Sequence, residues 1–281
     1  MHRIAAGPFS LVTLVASLRG AVATVGPWSF TVRAENDLPV NSDRYYINGI
    51  SFSFVHSTDE RDALWPQVLR LPGLDRSDLL ATGFDAGQIM VTPADFHRIV
   101  PDPRDRPYAG RLFVSASWQR FADDHYAALK LITGVVGPES LAEQTQKAVH
   151  RAIGVGRPLG WDHQLHTEPI LNAVYERRWR VQTLIRGMGA LPPARDAAPW
   201  GAHAFAGTGA PAVAHNITLD GNSFRFGPSV GHRPFVPAAE AGVVVRGRGW
   251  QLTTSWVAQG REFNVQPFAA RFGTVAFTVF R

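Results

Sequence analysis

Trp28-Ser29-Phe30-Thr31-Val32-Arg33-Ala34-Glu35 decides the fold class. In an extended chain successive side chains face opposite ways, so Trp28, Phe30, Val32 and Ala34 make an apolar face and Ser29, Thr31, Arg33 and Glu35 a polar one. The pattern returns at Ile50-Ser51-Phe52-Ser53-Phe54, at Leu112-Phe113-Val114-Ser115-Ala116-Ser117-Trp118-Gln119 and at Trp250-Gln251-Leu252-Thr253-Thr254-Ser255-Trp256. Repeated strands with large aromatics on one face and small hydroxyls on the other fit a barrel with lipid outside and a polar interior better than a soluble sandwich. The valine- and phenylalanine-rich end, residues 274–281, reads as the closing strand, with Phe280 penultimate.

Composition agrees. Charged residues are 18%, hydrophobic residues 45% and aromatics 11%, which excludes disorder, and a mean hydropathy of −0.07 excludes a bundle of transmembrane helices. With no cysteine, disulfide frameworks and thiolate metal sites are excluded. A net charge of +5 and a pI near 10.1 suit a phosphate-bearing partner.

The chain opens with basic Met1-His2-Arg3, continues with a mostly apolar run over residues 4–17, and reaches Ala21-Val22-Ala23. This order reads as a signal peptide, residues 1–23, cleaved after Ala23, with a single barrel domain over 24–281. Three segments depart from the strand rhythm. Residues 59–80, with Pro66 and Pro72, read as a short helix and loop, and residues 201–211 as a loop rich in glycine and alanine. Residues 138–153 read as a helix: Pro138 starts it, Glu139 and Glu143 lie early, Lys147 and Arg151 late, and Gly154 ends it.

Threading strands up and down places Asn36-Asp37, the loop 93–110 and the helix 138–153 at one rim, with a tight turn at Ala122-Asp123-Asp124 at the other. Four polar clusters gather on that rim: Glu35-Asn36-Asp37; Asp43-Arg44-Tyr45-Tyr46-Ile47-Asn48-Gly49; Asp105-Arg106-Pro107-Tyr108-Ala109-Gly110; and the run from Gly137-Pro138 through Gln146 and His150 to Gly160-Trp161-Asp162-His163-Gln164-Leu165 with Glu168-Pro169. Taken singly, each has an ordinary reading. A helical histidine usually packs, Asn36-Asp37 is a turn signal, Asp105-Arg106 is an ion pair shaping a loop, and Trp161 is an interfacial anchor.

In this order, over about residues 30–180, the four clusters resemble the outer-membrane lipid A 3'-O-deacylase family of Gram-negative bacteria. The resemblance implies an all-β antiparallel barrel of about twelve strands with a short helix in an extracellular loop. It implies an outer-membrane ester hydrolase that removes the 3'-linked acyloxyacyl group of lipid A with a histidine and a calcium ion. His150 is then the base, and Asn36 and Gln146 complete the catalytic set; Gln146 lies one helical turn before His150 on the same face. Asp37 and Glu168 are the expected metal ligands, since calcium takes oxygen donors. The expected partners are lipopolysaccharide and the membrane, with no nucleic acid, and the expected state is a monomer.

Two departures stand out. The family places threonine where Ile47 stands, and an acidic ligand six residues after the histidine, where this chain has Gly156. Either Glu168 or Asp162 substitutes, or metal affinity is weak, or the activity is lost. Alternation with Ser51 and Ser53 points Ile47 into the lumen. The alternative reading is a non-catalytic barrel that binds lipopolysaccharide or serves structure. A phospholipase ranks lower, since no serine stands beside a compelling histidine motif.

Overall fold

Alternation along each strand builds a sheet whose two faces differ in kind. The computed structural model describes residues 27–36, 45–58, 79–121, 125–179, 200–210 and 212–281. The expected signal peptide, Asp37, and residues 59–78 and 122–124 of the segments discussed above lie outside the described residues.

The strands are β1 (Trp28–Asn36), β2 (Tyr45–Thr58), β3 (Leu79–Thr92), β4 (Ala109–Phe121), β5 (His125–Val136), β6 (Glu168–Trp179), β7 (Trp200–Gly209), β8 (Ala238–Gly247), β9 (Trp250–Gln259) and β10 (Ala270–Phe280). They form one antiparallel sheet in the order β6-β5-β4-β3-β2-β1-β10-β9-β8-β7. First and last strands pair, Phe30 opposite Val279 and Asn36 opposite Gly273. The order is thus an up-and-down ring cut between β6 and β7.

Twelve strands were expected, and ten are found among the described residues. The long connection between β7 and β8 contributes no strand among its described residues. There Pro228, Pro234 and Pro237 withhold backbone donors, and the segment forms the one-turn helix α2 (Ile217–Asp220) and isolated bridges instead of strands. The glycine- and alanine-rich segment expected as a loop at 201–211 is instead most of β7, because Gly201 through Gly209 pair continuously with β8 and pairing outweighs weak β propensity. Leu79 and Leu80, placed in a loop by the sequence reading, open β3.

One face carries Phe30, Phe52, Phe54, Phe84, Val114, Leu171, Trp256 and Phe277, all exposed. The other is polar and internally bonded. Asp85 accepts from Ser53, from Ser115 Oγ at 2.7 Å and from Lys130 Nζ at 2.6 Å, while Thr31 and Thr278 hydroxyls meet at 2.8 Å and Ser255 donates to Glu240 at 2.6 Å. An exposed apolar face around a satisfied polar interior is what a lipid-facing wall requires.

The long described connections, 93–108, 137–167, 210–237 and 260–269, all leave the same end of the sheet. There the polar face is covered by Leu165 and Ile217 packed on Val91, Ala109, Val136 and Ile170, and by Leu219 packed on Phe263 and Ala270. Buried Arg106 ties three of these connections together, donating from the first to Glu262 Oε2 at 2.9 Å and Thr218 Oγ1 at 3.4 Å. Its role is structural, as expected, but its partner is Glu262 and not Asp105, which instead accepts backbone donors from Ala94 and Arg106.

Candidate active site

The helix α1 (Ala142–Ile153) begins later than the expected Pro138. Residues Pro138–Ser140 form a 3₁₀ turn, and Leu141 breaks the run in the left-handed region at φ 59°. The break turns Ser140 inward. Its hydroxyl donates to the Gly137 carbonyl at 2.6 Å, and its own carbonyl accepts from Gln88 Nε2 at 2.6 Å. Gly154 ends the helix at φ 73°, as a C-terminal glycine should. Ala142, Gln146 and His150, spaced by four, form its buried face.

That face lies against the outside of the wall. Gln88 and Met90 continue the outward row of Phe84 and Ala86, and Gly110 that of Leu112 and Val114, yet Met90 is only 2% exposed because Phe96, Tyr108, Ala142 and Trp161 cover it. Gly110 permits the approach: a Cβ there would lie 2.2 Å from both Ala142 Cβ and Ser140 Oγ. The histidine-bearing helix therefore stands on the lipid-facing flank of the rim. It lies at the end of the sheet where the polar clusters were expected to gather, and on that end loop residues pack over the inward face.

His150 is 6% exposed. Its Nδ1 lies 2.7 Å from the Gly156 carbonyl, which can only accept, so Nδ1 carries the proton and Nε2 the lone pair. The Phe96 ring meets the imidazole edge-on at 5.5 Å and holds its plane. One turn earlier, Gln146 Oε1 accepts from the Trp161 indole at 2.6 Å, and Gln146 Nε2 is buried without a hydrogen-bond partner among the described residues. Trp161, read from sequence as an interfacial anchor, is buried; its ring lies tilted against Tyr108 with centroids 5.0 Å apart, and its indole bonds Gln146. Burial pushes the Tyr108 phenol up to about 12, so it stays neutral and donates to the Phe96 carbonyl at 3.0 Å. An imidazole with a free lone pair, one helical turn from an amide with a spare donor, can deprotonate water and stabilise a developing oxyanion.

The other expected residues fall as follows. Asn36 closes β1 on the same outward row as Phe30 and Ala34, the side on which α1 docks. The β2–β3 register shifts between Tyr46 and Asn48, a bulge at Ile47 that ends the simple alternation used to point its side chain into the lumen. Glu168 is buried on the inward row, where its carboxylate accepts from Ser223 N at 2.9 Å and Asn222 Nδ2 at 3.2 Å. At Gly156 a Cβ would lie 2.3 Å from His97 Cε1, so the His97 ring fills the space where a side chain would begin. No group of three His, Asp or Glu side chains among the described residues is arranged to hold a metal. Those around His150 offer nitrogen, amide and carbonyl donors without a free carboxylate, so by themselves they do not fit calcium.

The sequence reading missed Trp161 as a partner of Gln146, and it missed a second cluster. His215 Nδ1 and His232 Nδ1 approach Asp220 at 3.2 and 2.6 Å. The hydrogen bond to Asp220 raises His215; burial opposes ionisation of Asp220, but bonds from His215, the Asn216 backbone and His232 outweigh it and hold that carboxyl low. This cluster latches the segment around α2.

A family model described as outer membrane protein LpxR matches residues 9–191 and 185–280. The chain belongs to that family. Among solved structures, LpxR from Salmonella typhimurium is similar with a TM-score of 0.66 at 16% identity, covering 90% of this chain and 100% of that one, which establishes a shared fold. The outer membrane enzyme PagL reaches a TM-score of 0.22 at 7% identity over 89% of this chain and 98% of its own, and carries no argument. No curated protein matches the sequence.

Proposed function

We propose that this chain is an outer-membrane esterase that hydrolyses the 3'-linked acyloxyacyl ester of lipid A, with His150 as general base. The observation that carries the reading is the His150 ring, fixed through Nδ1 by the Gly156 carbonyl, with Nε2 free, on a helix docked to the lipid-facing flank. Nε2 takes a proton from water as it attacks the ester carbonyl, Gln146 Nε2 donates to the oxyanion, and the imidazolium returns the proton to the departing sugar oxygen. The wall closes into a barrel in this reading, with β6 meeting β7, since every other neighbour in the ring is already paired. The long connections face outward from the cell, and residues 1–23 are the export signal.

Calcium belongs to the proposal through Asn36 and Asp37, whose side-chain oxygens would hold it at the rim. Activity should then fall in a chelator and return with added calcium. A second reading, a non-catalytic relative, draws on Ile47 and on the His97 ring that fills the place of a side chain at Gly156. Ile47→Thr separates the two, because activity found only in that variant favours the degraded site.

The deciding measurement is mass spectrometry of lipid A from cells expressing the protein. Loss of the 3' acyloxyacyl group is expected, with no loss in His150→Ala. An unchanged profile with the protein inserted in the outer membrane would sink the reading.

A further inference from the structure

The loop after β3 and the turn after α1 run side by side. Leu159 N donates to the Phe96 carbonyl at 3.0 Å, a Cβ on Gly156 would strike His97, and one on Gly160 would lie 3.0 Å from the Arg98 carbonyl and 3.1 Å from Pro101. Together they expose Ile99, Val100, Ile153 and Leu159 beside Arg151 and Arg157. Such a cluster of bare aliphatic side chains is costly in water. Here it sits at the rim, on the flank where α1 covers the outward row, and so continues the exposed apolar wall upward.

The charge of the patch is positive and uncommitted. Arg151 and Arg157 have no ion-pair or hydrogen-bond partner among the described residues. Nearby carboxylates are spoken for: Asp102 is paired with Arg104 at 2.9 Å and lies 4.0 Å from Arg98, Asp95 accepts from the His97 backbone at 3.1 Å, and Glu143 is paired with Lys147. Aliphatic side chains that enter an acyl layer, with guanidinium groups above them, match a lipid whose headgroup carries phosphate. Arg151 follows His150 on α1 and is exposed where His150 is buried, so a headgroup held there lies at the same end of the helix as the imidazole.

We infer that Arg151 and Arg157, above Ile99, Val100, Ile153 and Leu159, form a docking surface for the phosphate of an outer-leaflet lipid headgroup. This rests on the esterase reading, which it deepens by naming how the lipid is oriented.

The test is binding of the full chain, refolded in neutral detergent, to mixed micelles containing bisphosphorylated lipid A or its fully dephosphorylated counterpart. Wild-type protein should bind the phosphorylated form on the order of tenfold more tightly, and less so as salt rises. Arg151→Ala/Arg157→Ala should erase that preference and leave binding of the dephosphorylated form unchanged, whereas Arg225→Ala, an exposed arginine on another loop, should keep it. Equal affinity for both lipids, an unaltered preference in the double variant, or equal weakening on both probes would overturn the inference. The measurement is independent of turnover. Phosphate-selective binding without deacylation defeats the esterase reading alone, and deacylation without phosphate selectivity defeats this surface alone.

Discussion

Trp161 illustrates how one side chain holds another in a working state. Its indole N–H engages Gln146 Oε1, which fixes the amide one helical turn before His150 and leaves Nε2 as its spare donor. Trp161→Phe keeps an aromatic ring against Tyr108 but removes that donor. Both polar ends of a residue 1% exposed are then unmatched, at a cost of about 1–3 kcal/mol. The variant should insert normally while lipid A deacylation falls at least about tenfold, and amides of α1 should exchange hydrogen faster than in wild type. Unchanged activity would show that Gln146 needs no fixed orientation. His150 itself was legible as a candidate only through the family resemblance, since a helical histidine usually packs. Its tautomer was not, because the Gly156 carbonyl that sets it belongs to the chain beyond the helix.

Among elements, α1 depends on a single missing methyl group. Gly110 is the second residue of β4, and α1 reaches the wall only because no Cβ stands between that backbone and Ala142. Gly110→Ala forces a contact of 2.2 Å against another backbone-borne Cβ, which a rotamer change cannot relieve, so α1 must lift. The β3–β4 ladder needs nothing from that side chain. Amounts in the outer-membrane fraction should therefore match wild type while deacylation drops by an order of magnitude or more. A comparable drop in membrane-inserted protein would locate the defect in the sheet instead. The existence of β1, β4, β9 and β10 could be read from alternation, and the length of β1 closely, while β4, β9 and β10 extend beyond the alternating runs. The segment 201–209 could not: glycine and alanine carry little pattern, and β8 supplies the pairing that makes it a strand.

For the whole molecule the ring order makes a prediction that no single element makes. Nine of the ten neighbour relations of a closed ring are present, and the pairing of β1 with β10 is the one joining chain ends. If β6 and β7 meet, the wall has no free edge, and the folded protein should resist SDS at room temperature and migrate differently from a boiled sample. Identical migration of both samples would favour an open sheet. The upper end is already bound together by Arg106 and Glu262 and by the aliphatic packing around Leu165, Ile217 and Leu219. In the esterase reading proposed above, a lipid would therefore reach α1 from the side of the wall.

The sequence alone determined which residues face lipid and which face the interior, and at which end of the strands the polar clusters collect. Both follow from the two-residue period of an extended chain, a local geometric fact. Only the tertiary structure decided that the histidine helix lies outside the wall, that loop residues cover the inward face at the rim, and that Glu168 serves a loop at Asn222 and Ser223. Those outcomes depend on surfaces made by residues far apart in the chain, such as Gly110 against Ala142 or Trp161 against Gln146, and no periodicity records which such surfaces will meet.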